Sequence, residues 1–202
     1  MTGAALAGAG RRERTKAANR AAILTAGREV FAELGYGAAG VRDIVRGTDL
    51  AAGTFYNYFP DKQAVFAALV REVGEEARRR VRAARRAART PRQFVEDAYR
   101  AYFGFIVEDA ARAAFLSRNT ATIRAMFEPS EGPAGIGELA EDLRAAIARG
   151  DLPPVDVDYC AGAMVAVALE LGQRLMQRDP PDVEGATRFA TQLFLGGIMG
   201  AR

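Results

Sequence analysis

The chain has 202 residues, enough for one domain with a large core or for a small module of about 50 residues joined to an ordinary domain. Half of the residues are apolar and 26% are charged, a globular composition that excludes a wholly disordered chain. The single cysteine, Cys160, excludes a disulfide or a cysteine metal site within one chain, and we expect a cytoplasmic protein. The longest apolar run, residues 161–169, is shorter than the roughly 20 residues of a membrane span, so we expect no membrane contact.

The formal charge of +3 combines two halves of opposite sign. Residues 1–100 contain 19 Lys and Arg against 11 Asp and Glu, a difference of +8. Residues 101–202 contain 9 against 14, a difference of −5. A basic first half is typical of nucleic-acid binding, although a solvated arginine-rich helix face gives part of the same pattern.

Apolar residues recur at helical spacing and strand-like alternation is brief, so we predict an all-α fold. Residues 1–12 should form a flexible arm that ends in basic residues, and Gly35 should end the first helix. The helix that ends at Met176 is apolar nearly all round, so we expect it to be buried. Helices are predicted over about residues 13–34, 62–88, 109–127 and 181–198, with two short ones within 41–59, one from Thr90 and two that end at Arg149 and Met176; residues 128–137 should be a loop.

One segment carries a specific motif. Val41-Arg42-Asp43-Ile44-Val45 is followed by a turn, and Gly53-Thr54-Phe55-Tyr56-Asn57-Tyr58-Phe59 then leads to Lys62. Together with Phe31-Ala32-Glu33-Leu34-Gly35-Tyr36, it resembles the DNA-binding domain of TetR-family transcriptional regulators over residues 21–62. The resemblance implies a helix-turn-helix domain over residues 13–66 and a helical ligand-binding and dimerisation domain over residues 67–202.

The residue types of this motif suit contact with DNA. Gly53 lets the helix backbone approach the duplex, and Thr54 offers a hydroxyl to a phosphate. Asn57 can make two hydrogen bonds to an adenine edge, whereas Arg42 can reach a phosphate or a guanine. Lys62 supplies an ammonium beside the free N–H groups that begin the next helix. The predicted DNA-binding residues are Arg42, Gly53, Thr54, Tyr56, Asn57, Tyr58 and Lys62.

Some residues of the segment have other interpretations. Phe55 and Phe59 are four residues apart and should face the core. Tyr56 suits either core packing or contact with DNA. Gly40 and residues 49–52 depart from the family pattern, because two capping hydroxyls and a basic residue are missing; Asp49 can cap the second short helix instead. The arginines between residues 78 and 89 should pair with Glu72, Glu75 and Glu76 or with solvent and should not form a second nucleic-acid surface.

For the second domain, the resemblance implies a pocket for an unidentified small molecule and a homodimer interface. The pocket candidates, for which ordinary core packing is the alternative, are Tyr99, Tyr102, Phe103, Phe115, Met126, Met164 and Gln173. The interface candidates lie on the last helix, where an intrachain helix pair is the alternative; they are Phe189, Leu193, Phe194 and Gly197.

Enzymatic function is disfavoured, because the chain has no histidine and no motif for phosphate or metal chemistry. We therefore expect neither a catalytic site nor a cofactor. The sequence indicates a regulator, most simply a repressor that a small lipophilic or aromatic ligand releases from a palindromic double-stranded DNA operator. A helical adaptor or a small-molecule-binding protein without DNA binding remains the alternative.

Overall fold

A computed structural model describes residues 3–126 and 135–200, with side chains over 12–126 and 135–197. All regular structure in these ranges is helical, which confirms the predicted fold class. The helices are α1 (Gly3–Ala38), α2 (Val41–Arg46), α3 (Ala52–Phe55), α4 (Lys62–Ala87), α5 (Pro91–Val107), α6 (Ala110–Met126), α7 (Ile136–Ala148), α8 (Val157–Met176) and α9 (Val183–Gly200). None of the described helices is long and apolar enough to cross a membrane.

The helix ends follow local chemistry. Gly35 adopts φ 77° and ψ 158°, which interrupts α1 where the sequence predicts its end. The Asp61 carboxylate accepts a hydrogen bond from the Ala64 N–H at 2.8 Å and begins α4. Thr90 and Asp156 cap α5 and α8 in the same way, at 3.1 and 3.0 Å. The boundaries predicted at Gly35, Lys62 and Thr90 are confirmed, whereas most of the predicted 128–137 loop lies outside the described residues.

The start of α1 differs from the prediction. Residues 3–12 were expected to belong to a flexible arm, but α1 begins at Gly3 and includes them. This segment contains Ala4, Ala5, Ala7 and Ala9, and alanine has the highest intrinsic helix propensity. The helix therefore extends about ten residues beyond the predicted start, which was placed from the apolar periodicity alone.

The chain divides into two compact units, Met1–Val70 and Arg71–Arg202. The first unit packs its aromatic rings closely: Phe31 meets Phe66 edge-on with 5.2 Å between centroids, and Tyr36 lies 4.8 Å from Phe66. At Gly27 a Cβ atom would lie 2.7 Å from a Val65 methyl carbon, so glycine permits close approach of α1 and α4 there. The result is a small, dense core.

The second unit surrounds α5, whose buried face carries Val95, Tyr99, Phe103 and Ile106. The expectation that α8 is buried on all sides is wrong within one chain. Tyr159 is 81% exposed and Leu169 is 44% exposed, because the neighbouring helices of the chain cover only one side of α8. The buried side of α8 carries Ala161, Met164, Gly172 and Leu175.

Candidate nucleic-acid interface and ligand cavity

Buried residues hold α2, the following turn and α3 in a helix-turn-helix. Ile44 and Phe55 are fully buried, and Phe59 is nearly so, which confirms that Phe55 and Phe59 face the core. The Thr48 hydroxyl donates to the Val45 carbonyl at 2.9 Å and accepts from the Leu50 N–H at 3.2 Å. The turn is thus tied to the end of α2, which holds α3 in one orientation.

The outward face of this unit carries most of the predicted DNA-binding residues. Gly53, Asn57 and Arg42 are exposed, and Tyr56 is 59% exposed with its ring edge-on to Phe55. Thr54 is half-buried. A Cβ atom at Gly53 would have no heavy atom within 4 Å, so the fold does not require glycine at that position. The structure therefore brings together a polar surface on α3 and the residues after it.

Tyr58 has a contact within the protein. Its hydroxyl accepts a hydrogen bond from the Asn19 side-chain amide at 3.1 Å, which links the residues after α3 to α1. The phenolic proton is not used by this bond and can still be donated to a phosphate. Tyr58 therefore positions α3, whether or not it also contacts DNA.

Lys62 has hydrogen-bond partners within the protein. Its ammonium donates to the carbonyl oxygens of Tyr36 at 2.8 Å and Ala39 at 2.7 Å, and Gly37 O lies 3.5 Å away. The same Nζ lies 4.6 Å from the centroid of the Tyr36 ring. An ammonium has three N–H donors, so Lys62 is committed to the carbonyls at the end of α1. The structure thus gives Lys62 a role within the protein, and its phosphate contact stays a prediction.

The departures from the family pattern affect the caps of the short helices. Gly40 is the N-cap of α2, and its N–H donates to the Asp43 carboxylate at 2.9 Å. Ala51 is the N-cap of α3 and has no capping side chain. The suggestion that Asp49 caps α3 is wrong, because the helix begins at Ala52 and places the cap position two residues after Asp49.

The structure also changes the interpretation of the basic first half. Residues 1–70 contain nine basic and six acidic residues, a difference of +3, whereas residues 71–100 contain ten and five, a difference of +5. Most of the excess of +8 thus belongs to the second unit. The ion pairs of the arginines between residues 78 and 89 include Arg79 and Arg80 with Glu76, Arg80 with Glu108, Arg82 with Glu138 and Arg85 with Asp142. The predicted pairing with Glu76 is confirmed, and three further partners come from other helices.

The second unit contains an apolar cavity of about 680 Å³, its open mouth included, bounded by α4, α5, α7 and α8. Tyr99 lines it and donates its hydroxyl to the Met164 carbonyl at 3.0 Å, which holds α5 against α8. Removal from water raises the pKa of Tyr99 and raises that of Tyr102 to about 12, so both phenols stay neutral at neutral pH. The cavity therefore suits a mainly lipophilic ligand.

Only part of the predicted pocket lines this cavity. Tyr99, Tyr102 and Met164 do so, whereas Phe103, Phe115, Met126 and Gln173 do not. Phe103 and Phe115 are fully buried, so these rings fill the space between helices. Sequence reasoning also missed polar residues of the lining, namely Arg78, Arg85 and Glu138. A count of large apolar residues finds core positions and cannot identify the basic residues that other helices bring to a cavity.

The apolar stripe of α9 divides between two environments. Phe189 is 57% exposed, Leu193 is 50% exposed and Gly197 is exposed, so these residues are accessible to a partner chain. Phe194 was predicted to lie at the dimer interface, but its ring stacks on Tyr99 at 6.1 Å within the chain. The helical rotation between residues 193 and 194 explains why neighbouring positions face different surroundings.

Known proteins resemble both the N-terminal segment and the whole fold. The family described as bacterial regulatory proteins of the tetR family matches residues 23–69. The HTH-type transcriptional repressor Rv1474c of Mycobacterium tuberculosis is 43% identical over 56 residues, which are 28% of this chain and 30% of that repressor. The match thus spans less than a third of that curated relative.

Two solved structures share the fold along most of the chain. The fatty acid degradation regulator FadR from Bacillus halodurans superimposes with a TM-score of 0.75 at 22% identity, over 89% of this chain and 95% of its own. FadR from Bacillus subtilis, in complex with stearoyl-CoA, gives 0.74 at 20% identity, over 88% and 98%. The family match includes the whole helix-turn-helix and all the residues predicted to contact DNA. Residues 23–69 are thus similar to the N-terminal domain of the tetR family of bacterial regulatory proteins, as the resemblance in the sequence predicted.

Proposed function

We propose that the chain is a DNA-binding transcriptional regulator, a cytoplasmic repressor that a lipophilic or aromatic effector releases from a palindromic operator. The observation that carries this proposal is the polar outer surface of the helix-turn-helix. Tyr56 and Asn57 are exposed, and Gly53 has open space beside it. The buried ring of Phe55 anchors α3 in the core. Such a rigid surface suits readout of base edges. The relative from M. tuberculosis is named as a repressor, which supports the same function.

A lipophilic effector is supported by the cavity of the second unit. Its lining is mainly apolar, with side chains such as Val81, Leu139 and Met164. The B. subtilis structure, which shares the fold, contains stearoyl-CoA, itself a largely lipophilic molecule. The function needs no catalytic group and no cofactor.

Dimerisation would present two recognition helices to the two halves of a palindrome, about 34 to 36 Å apart. Phe189 and Leu193 of α9 supply an exposed apolar face for it, and Gly197 lies one helical turn after Leu193. Phe189→Asp and Leu193→Asp should each give a monomer in sedimentation velocity, because a charge would be buried. Ser117→Asp, at an exposed position of α6, is the control and should leave the mass unchanged.

The function is tested by selecting bound duplexes from a random DNA library and measuring their affinity by fluorescence anisotropy. We expect a palindromic sequence that binds at least about 10³-fold more tightly than unrelated DNA. The affinity should fall steeply between about 50 and about 200 mM salt. Absence of both enrichment and salt-dependent binding would favour the adaptor alternative.

The release mechanism is tested by thermodynamic reciprocity. If an effector weakens operator binding by some factor, the operator must weaken effector binding by the same factor, typically about 5- to 150-fold. Titration calorimetry of the effector with the free protein and with the operator complex measures it. Equal affinities in the two titrations would show that this molecule does not control DNA binding.

A further inference from the structure

The apolar cavity adjoins a second, basic one. Both are bounded by α4, α5 and α7, and Arg85 lines both. The ion pairs Arg82–Glu138 and Arg85–Asp142 show that residue numbers rise in the same direction along α4 and α7. Along α4 and α7 the earlier residues line the apolar cavity and the later ones line the basic cavity, whereas along α5 the order is reversed. The two cavities are therefore successive parts of one groove, which follows α4 for about 12 Å from Arg78 to Arg86 and continues to Arg89 beyond its end.

The junction between the two cavities is an ion pair. Arg85 Nε lies 2.8 Å from Asp142 Oδ2, and only 8% of the Arg85 side chain is exposed. This bond uses one of the five N–H donors of the guanidinium. The Nη groups make no other hydrogen bond to a described residue, so Arg85 can bind a ligand without losing Asp142.

The basic cavity offers about 800 Å³, open space included, and is lined by four arginines and two aspartates, a net charge of +2. Asp142 pairs with Arg85, and Asp151 pairs with Arg149 at 2.8 Å. Arg86 and Arg89 are exposed and have no ion pair with any described residue. Guanidinium groups match the geometry of phosphate oxygens, so the two arginines form a site for a phosphate-bearing group.

We propose that the effector is an amphiphile with one apolar chain and a phosphate-bearing head. The chain lies in the cavity of Tyr99, Tyr102 and Met164, the head lies on Arg86 and Arg89, and the Arg85–Asp142 pair separates the two. This inference rests on the proposed function and specifies its effector. Acyl thioesters of a phosphorylated nucleotide and lysophospholipids with a terminal phosphate share this chemistry.

Calorimetry on the full chain without DNA tests the two-part ligand, with every probe below its critical micelle concentration. The probes are stearoyl-CoA, stearoyl lysophosphatidic acid, stearate and coenzyme A. We expect at least one of the first two to bind more than about 10-fold more tightly than both stearate and coenzyme A, and the tighter of the two identifies the source of the head. Equal binding of stearate, binding of coenzyme A alone, or no binding of any probe would overturn the inference.

The head site is tested with the double variant R86Q/R89Q. Both residues are exposed, and circular dichroism verifies that the variant folds. The affinity for the tighter phosphate-bearing probe should fall by about 10- to 100-fold, because charge-assisted hydrogen bonds are lost. Stearate binding should change by less than about 3-fold, because its single carboxylate makes few of the hydrogen bonds that a phosphate makes to these arginines. R118Q, an exposed arginine of α6 outside both cavities, is the matched control and should leave every affinity unchanged.

Equal affinity of the tighter probe for R86Q/R89Q and the wild type would overturn the head site. Failure of this inference is distinguishable from failure of the proposed function, because the titrations contain no DNA. Operator binding without binding of any amphiphile would overturn the inference alone. Amphiphile binding without operator binding would overturn the regulator and leave the ligand site in place.

Discussion

The two compact units differ in how closely their helices pack. In residues 1–70, the rings of Phe31, Tyr36 and Phe66 touch one another, and Gly27 removes the side chain that would separate α1 from α4. In residues 71–202, the helices border an open apolar cavity of about 680 Å³, its mouth included, beside a buried core. A dense unit keeps a binding surface in one shape, whereas a unit with a cavity can take up a ligand.

The largest expected effect is on the dense core. Phe66→Ala should lower the free energy of unfolding by about 3 to 5 kcal/mol, because a fully buried ring in a close-packed core leaves a cavity behind. Met164→Ala, beside the existing cavity, should cost about 2 kcal/mol, the low end for a buried methionine, since its side chain has fewer neighbours to lose. Guanidinium denaturation followed by circular dichroism measures both, and equal costs would break the comparison of the two units.

The second prediction sharpens the comparison at Lys62, which belongs to the dense unit. Lys62→Met removes the bonds to the Tyr36 and Ala39 carbonyls and should cost about 1.5 to 3 kcal/mol of stability. DNA affinity should weaken evenly for all sequences, with the slope of log K against log salt unchanged. A phosphate contact would instead reduce that slope by about 2 for a dimer, one for each subunit. Lys16→Met, at an exposed position of α1, is the stability control.

Lys62 also shows how far sequence reasoning reaches. The helix-turn-helix was predictable because its pattern is local: Gly35 ends a helix, Phe55 and Phe59 share one face, and the motif is read from adjacent residues. The partner of the Lys62 ammonium was not, because the carbonyls that it binds lie 23 and 26 residues away. Proximity of this kind depends on how helices pack, which the motif does not specify.

The cavity was less predictable for the same reason. Arg85 faces it because Asp142 lies opposite, 57 residues later, and no spacing rule links the two. Large apolar residues such as Phe103 and Phe115 meet the description of a pocket wall but fill the core. The helices of the second unit could be predicted from local sequence patterns. The residues that line the cavity could be identified only from the structure.

The third prediction concerns the outer surface of the dense unit. Arg42→Ala and Asn57→Ala should each cost about 1 to 3 kcal/mol of binding to the selected operator, with little change on unrelated DNA, if these exposed side chains read bases. Anisotropy titrations on the operator and on a scrambled duplex separate the two effects. A uniform loss on both duplexes would show that the residue binds the phosphate backbone and does not specify sequence.

The smallest expected effect is at Gly53, and it separates folding from binding at a single position. Open space surrounds the place of its Cβ atom, so Gly53→Ala should raise the stability of the protein by about 0.5 to 1 kcal/mol, the usual advantage of alanine over glycine in a helix. If the backbone of α3 comes close to the duplex there, the added methyl group must weaken operator binding. Denaturation and anisotropy on the same preparation measure the stability and the DNA affinity. Gly137→Ala, at an exposed position of α7, is the control. Its Cβ atom would also lie in open space, so this change should stabilise the protein without changing DNA affinity. A variant of Gly53 that is more stable and binds DNA normally would show that α3 does not approach the duplex at this residue, and the DNA contact would then depend on Tyr56 and Asn57.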